Sequence, residues 1–395
     1  MLQLAKNVIG KGGVEYIVNA YPRPSMAGLG YIAGFGVLQA LLQITVPGKR
    51  FHGPTTPRGN VPQYTANGVQ CYLLTTALFF GTWYVGVFDP SRVYDSMGTI
   101  ISTSNLFSLV LCGFLYAKGR WAPSSSDAGS TGSLIFDYYW GTELFPRLFG
   151  QRFDIKVWTN CRMGMAGWGI ITLCYAVKQS ELLGVPSNAM LVSVGLMHLY
   201  IFKFFLWETG YFASMDIAHD RAGFYLCWGC LVWVPAVYTS PSQWLVRRPG
   251  TLSPAGAFLT FLAGAIAIYI NYDSDRQRQY FRRTRGKAPI WGRPPRKIAA
   301  LYTTVDGITK ESLLLASGWW GLARHFHYVP EVLAALLWSC PGGCSSLVQL
   351  IYVAFLTSLL ADRAYRDDER CRAKYGKYWE LYCEYVPYRV IPLIF

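Results

Sequence analysis

The chain is short of charge. Of its 395 residues only 15% are Asp, Glu, Lys or Arg, where an average soluble domain carries roughly 25%. Hydrophobic residues make up 52% and aromatic residues 16%. This balance excludes an ordinary soluble domain and leaves a membrane protein. Metal-site patterning is also missing: the ten cysteines are irregularly spaced, which excludes a zinc framework and an evident disulfide scaffold. Cys227 and Cys230 are separated by two residues, but no second pair or histidine cluster completes a site, so no metal is expected. Cys112, Cys174, Cys227, Cys230 and Cys340 fall in apolar segments and read as small packing residues. There is no internal repeat, which weighs against a transporter. Residues 1–11 carry no cleavable signal pattern, and no KDEL-type sequence ends the chain.

What is there is a series of long charge-free runs. Residues 25–48, 60–88, 98–117, 222–246, 249–272 and 332–361 contain no Asp, Glu, Lys or Arg, and 182–202 is interrupted only by His198. Each reaches the roughly 20 residues that cross a bilayer core as a helix. Residues 163–177 form a shorter apolar run, and 332–361 is long enough for parts of two spans broken at Pro341-Gly342-Gly343. The expected fold is all-α and polytopic, with about nine to ten transmembrane helices.

Position matters more than sum for the net charge of +14. Arg276, Arg278, Arg282, Arg283, Arg285, Lys287, Arg293, Arg296 and Lys297 form a basic stretch, read as a loop, that the positive-inside tendency puts on the cytoplasmic side. The charge-dense residues 362–389 share that side. A nucleic-acid partner is disfavoured for a loop tethered between spans; an anionic lipid surface or a phosphorylated cofactor suits it better. Two regions follow: residues 1–275 as an apolar helical bundle and 276–395 as a binding region with broken apolar helices and a cytoplasmic C-terminal helix.

Four constellations carry chemistry. In 317–331 the order is Ser-Gly-Trp-Trp-Gly-Leu-Ala-Arg-His-Phe-His-Tyr-Val-Pro-Glu. Trp319 and Trp320 alone would pass for interfacial belt residues. Arg324, His325, His327 and Tyr328 between apolar segments would not, because ionisable groups there are costly and tend to be functional. Arg278 and Arg282 stand four apart; if the preceding helix continues, both guanidinium groups share a face and can grip a phosphate. The bland alternative is a juxtamembrane anchor. Asp367, Cys371 and Tyr375 fall at i, i+4 and i+8, with Tyr378 and Tyr382 extending the stripe, either as a solvated surface helix or as the wall of a groove. Glu208, Asp216, His219 and Asp220 form either a surface loop or a buried acid network that supplies protons.

These residues carry a resemblance. The chain resembles the sterol reductase family in Ser317-Gly-Trp-Trp-Gly with Arg324-His325, Arg366-Asp367, Arg370-Cys371, Lys374-Tyr375-Gly376, Tyr382 and Val386-Pro387-Tyr388-Arg389. Glu143 to Arg147, Asp154 to Lys156, Asp216 to Asp220, Trp233 to Pro235 and Asn271 to Arg283 fit as well, so the likeness covers most of the chain from about Tyr64 onward. The run Arg324 to Glu331 is most similar to the plant-type delta-7 branch; His327 stands where other branches usually have Asn. The resemblance places the start of the chain near the family's second span.

On that resemblance the activity is NADPH-dependent reduction of the carbon 7–8 double bond of 5,7-diene sterols. Arg278 and Arg282 would hold cofactor phosphate; Leu315, Trp320, His327 and Tyr328 would line the pocket; Asp367, Cys371, Arg372, Ala373, Lys374, Tyr375 and Tyr382 would close it. The same likeness nominates Asp367 for the proton network, with Tyr238, Glu208 and Asp216 as sterol-side candidates. An unactivated alkene is a poor hydride acceptor, so an acid acts first or in concert. The implied setting is the endoplasmic reticulum membrane, with sterol arriving from the bilayer and other sterol-pathway enzymes as partners. Delta-14 reduction and a non-catalytic, lamin B receptor-type scaffold are the alternatives. An isoprenylcysteine-type methyltransferase is disfavoured because its cofactor has no phosphate for the arginine pair.

Overall fold

The computed structural model describes residues 21–56, 58–150, 152–303 and 307–394; the opening residues, with the expected absence of a cleavable signal, lie outside them. Helices dominate. Five are long and apolar enough to cross a membrane: Met26–Thr45, Met97–Trp121, Asn188–Leu206, Pro254–Arg283 and Leu347–Tyr375. The remaining apolar runs fold into shorter or interrupted helices. Residues 60–88 become a strand, Gln63–Ala66, followed by the helix Gly68–Tyr84, while 222–246 divides into Phe224–Trp228, a π-helical turn Gly229–Tyr238 and Ser240–Val246. Pro235 inside that turn has no N–H to give an α-helical bond, and a π-bulge absorbs the defect.

The chain forms two compact units, residues 1–185 with 204–239, and 186–203 with 240–395. The expected boundary at residue 275 lies inside the unbroken helix Pro254–Arg283.

In the first unit, Ser25 caps the helix Met26–Thr45 by accepting from Gly28 N at 3.0 Å. Gly28 is required there, because a Cβ would stand 2.6 Å from Thr103 Oγ1 of the neighbouring Met97–Trp121 helix. The π-helical segment Trp158–Ala166 packs beside Gly229–Tyr238, with Cys230 Sγ donating to Asn160 Oδ1 at 3.2 Å. A two-stranded antiparallel hairpin, Lys49–His52 with Gln63–Ala66, stacks Tyr64 on Phe212 with ring centres 4.5 Å apart.

In the second unit, Pro254–Arg283 starts with Ser253 as cap and Pro at its first turn, the position where a missing N–H costs nothing. Phe258, Leu259, Leu262 and Ile266 on its apolar part are exposed, as lipid-facing side chains are in a span whose solvent is hydrocarbon. The helix then runs on through the arginines to Arg283, so much of the basic stretch expected as loop is helical. Leu347–Tyr375 has the same construction: an apolar half, then a charged half. The charged half is the end of a long apolar helix instead of a separate surface helix.

The all-α expectation needs one correction. Among the described residues there are three two-stranded sheets, and the largest of these, Lys297–Thr303 with Thr309–Leu315, is antiparallel from Lys297↔Leu315 to Thr303↔Thr309. Its alternation puts Ile298, Ala300 and Leu314 on a buried face, the period-2 pattern of a strand. That face packs with Ala316 against Tyr375, Trp379, Tyr382 and Val386. The hairpin thus fixes Leu315 and the 317–331 segment beside the C-terminal helices.

Candidate active site

The second unit brings three of the four constellations together. Both tryptophans of the 317–331 stretch lock onto the helix Pro254–Arg283: Trp319 Nε1 donates to Asp273 Oδ2 at 2.9 Å and Trp320 Nε1 to the Ser274 carbonyl at 2.7 Å. They are docking residues and not a free aromatic belt. Arg278 lies over the Trp320 ring, its guanidinium carbon 4.4 Å from the centroid, and pairs with Asp275 at 3.3 Å. Stacked and tethered, it keeps donors free of large rearrangement. Arg282, one turn further on, is exposed and within electrostatic reach of Arg278, Asp367, Cys371 and Tyr375.

Rings continue the wall. Trp320 and His327 are centred 4.9 Å apart, His327 and Tyr328 4.3 Å, and Tyr328 stacks on His325 at 5.3 Å. Asn271 Nδ2 donates to the His327 carbonyl at 3.0 Å and takes a hydrogen bond from Lys203, which sets the entry of the next helix, Tyr328–Ser339. Tyr382 donates to the Leu315 carbonyl at 3.0 Å. Leu315 is buried.

Asp367 pairs with Arg370 and stands 3.9 Å from His325 Nε2, with Cys371 Sγ at 4.0 Å. Burial pushes the His325 imidazole down to about 4 against the pull of Asp367. It is therefore neutral at pH 7, and the 3.9 Å approach is not an ion pair there. His327 is also held well below its ordinary value, chiefly by burial and then by Arg278. His325 Nε2 and His327 Nδ1 are buried without a hydrogen-bond partner, a costly state for polar atoms unless a ligand completes it.

The structure separates the remaining candidates. Arg372, Ala373 and Lys374 are exposed; Arg372 reaches Asp368 at 3.7 Å, and Lys374 lies 4.1 Å over the Tyr302 ring of the hairpin. Tyr375 is buried and donates to Ser312 Oγ at 3.3 Å. A cleft of about 480 Å³ opens on the neighbouring face of the Pro254–Arg283 helix, lined by Asp273, Arg276, Gln277, Tyr280, Arg283 and Trp291; it contains none of the expected cofactor residues.

One organising residue was not singled out from sequence. Asp368, buried, meets Arg324 at 3.4 Å and Arg389 at 3.2 Å, and accepts from Trp379 Nε1 at 3.3 Å. Arg324 also donates to the Val386 carbonyl at 2.8 Å. This hub ties the 317–331 stretch to the C-terminal segment and holds Asp367 beside it. The only signal in sequence is a second aspartate adjacent to the first.

In the first unit, Tyr238 closes the π-helical turn edge-on to Trp168, ring centres 5.3 Å apart. Asp216 is half-buried, within electrostatic reach of Lys156 and Tyr211. Glu208 is different. It is buried, forms an ion pair with fully buried Arg162 at 2.8 Å and accepts from Gly68 N at 2.8 Å. Arg162 also donates to Asn67 Oδ1 at 2.7 Å. The carboxylate thus sits at the N-terminus of the helix Gly68–Tyr84, where negative charge is favoured. Glu208, nominated with Asp216 and Tyr238 for the sterol side, is held in a buried cluster with Arg162, Gly68 and Asn67.

Five long apolar helices among the described residues, two of them carrying arginines and aspartates of the site on their charged parts, describe a multi-span helical membrane protein. The chain belongs to the ergosterol biosynthesis ERG4/ERG24 family of sterol reductases, which matches residues 2–395. It is 55% identical over 385 residues to 7-dehydrocholesterol reductase of Arabidopsis thaliana, covering 98% of this chain and 89% of that one. To 7-dehydrocholesterol reductase of Xenopus laevis it is 37% identical over 87% of this chain and 73% of the relative. To Delta(14)-sterol reductase of Methylotuvimicrobium alcaliphilum it is 35% identical over 94% of this chain and 84% of the relative.

Proposed function

We propose that the chain reduces the carbon 7–8 double bond of 5,7-diene sterols, with NADPH bound in the second unit. The extent of the likeness to the plant delta-7 enzyme, which exceeds that to the delta-14 enzyme by some margin, carries the choice of bond. The two orphaned imidazole nitrogens beside a stacked arginine support a flat polar cofactor in the pocket. Bound NADPH supplies hydride equivalents.

The residues divide the remaining work. Arg278 and Arg282 hold phosphate as a planar two-arginine fork, and Asp275 keeps Arg278 oriented. Trp320, His327 and Tyr328 give flat walls, with Leu315 and Tyr382 behind them; Cys371, Arg372, Ala373, Lys374 and Tyr375 close the other side. Asp367 orders the pocket through neutral His325 and takes part in delivering the proton. Tyr238 and Asp216 serve the sterol side. A proton placed at carbon 8 leaves an allylic cation over carbons 5 to 7, which makes the alkene a competent acceptor. An apolar cavity of about 470 Å³ in the first unit, lined by Tyr31, Phe35, Phe79, Met163, Ile170 and Cys230 among others, is of the size and character that hold small lipids. The membrane is that of the endoplasmic reticulum, with the basic stretch and C-terminus cytoplasmic; other enzymes of sterol synthesis are partners.

Two variants of the purified enzyme test this division. Arg278→Ala should raise the KM for NADPH about 10- to 100-fold, the worth of a charge-assisted contact, with little change in the KM for sterol. Asp367→Asn should lower kcat by about 100-fold or more. Full turnover by a folded Asp367→Asn protein would refute the acid assignment.

A further inference from the structure

The break between the helices Tyr328–Ser339 and Leu347–Tyr375 has the sequence Cys340-Pro-Gly-Gly-Cys344. Its backbone turns back on itself: Gly343 N donates to the Cys340 carbonyl at 3.1 Å, and Gly343 takes φ +96°, a conformation open to glycine and strained for other residues. The turn places Cys340 and Cys344 on its two arms, close enough to influence each other electrostatically, with the Cys344 thiol donating to the Ser346 carbonyl at 3.4 Å. Cys344 is exposed and Cys340 half-buried, so an oxidant can reach the pair.

The location supplies the redox conditions. The helix Leu347–Tyr375 is free of charge over residues 347–361, about 22 Å at 1.5 Å per residue, most of the hydrocarbon core of a bilayer. Arg363, Arg366, Arg370, Arg372 and Lys374 crowd its far end, whereas 340–346 has no charge. If the basic end is cytoplasmic, the Cys340–Cys344 loop faces the lumen, and the lumen of the endoplasmic reticulum favours disulfides. This step rests on the orientation given above and not on the identity of the reduced sterol bond.

We propose that Cys340 and Cys344 form a lumenal disulfide that staples the turn between these two helices. The two thiols lose two protons and two electrons to the disulfide of a lumenal dithiol–disulfide oxidoreductase, which becomes a dithiol as the new S–S bond forms. The staple fixes one end of the helix pair whose other ends carry Tyr328 and Asp367.

The test is maleimide labelling of the full-length protein in sealed microsomes from the expressing host, read by peptide mass spectrometry. Without reductant, in denaturant, Cys340 and Cys344 should both be unlabelled and their peptide lighter by two hydrogens. After phosphine reduction both should label, and Cys340→Ser should free Cys344 for labelling without reductant. Full labelling of both residues without reductant would overturn the proposal, as would labelling of Cys344 by an impermeant maleimide at the cytoplasmic face of unbroken vesicles. Cys340→Ser/Cys344→Ser microsomes should still consume diene sterol, so loss of the bridge is distinguishable from failure of the reductase reading.

Discussion

At the scale of the residue, burial decides which acidic groups are free to do chemistry. Glu208 is buried against Arg162, whose guanidinium also holds Asn67, and against the first N–H of a helix. Removing it strands a fully buried guanidinium, at a cost of about 3–5 kcal/mol. Glu208→Ala should therefore unfold at a markedly lower temperature in detergent, and Glu208→Met/Arg162→Met should regain part of the loss. A Glu208→Ala enzyme with unchanged thermal stability but no turnover would return Glu208 to the catalytic set. Asp367, by contrast, keeps a half-buried carboxylate next to a neutral imidazole. The difference between the two carboxylates was not legible in sequence, because Glu208's partners lie 46 and 140 positions away (Arg162 and Gly68).

At the scale of the element, continuity and interruption carry most of the information. The i, i+4 spacing of Arg278 and Arg282 was readable because the helix does continue to Arg283. The likeness of 324–331 to a family motif nominated His327 and Tyr328, whose rings the structure clusters with His325 and Trp320. The hairpin of 297–315 was not read from the sequence: its strands pair Lys297 with Leu315 across a turn, and a basic stretch masked the alternation of Ile298 and Ala300. Asp368 was missed for the same reason as Glu208, since Arg324 and Arg389 come to it from distant segments. Gly318 shows how tightly these elements meet. Its φ is +62°, and a Cβ would stand 2.2 Å from Gln277 Oε1 and 2.6 Å from Ile290 Cγ2. Gly318→Ala should push the tryptophan pair off the Pro254–Arg283 helix and cost about 1–3 kcal/mol, seen as weaker NADPH binding and faster proteolysis in 284–320. Unchanged NADPH affinity in this variant would mean that the docking of Trp319 and Trp320 does not shape the pocket.

At the scale of the whole molecule, low charge and long apolar runs were enough to give a helical membrane protein, and five helices meet the length and composition of a span. The run 222–246 was read as a simple span because hydropathy does not register a π-bulge at Pro235, whereas the break at Pro341-Gly342-Gly343 was legible and falls between the helices Tyr328–Ser339 and Leu347–Tyr375. The account's central claim is a reaction on one bond of one ring system in that membrane. It is tested most directly by expressing the chain in a sterol-producing host that lacks delta-7 reduction and supplying microsomes with a 5,7-diene sterol and NADPH. The account predicts loss of diene absorbance, matched mole for mole by NADPH oxidation, with a product that keeps its carbon 5–6 double bond. Persistence of the diene, with a carbon 14–15 double bond reduced in its place, would contradict it.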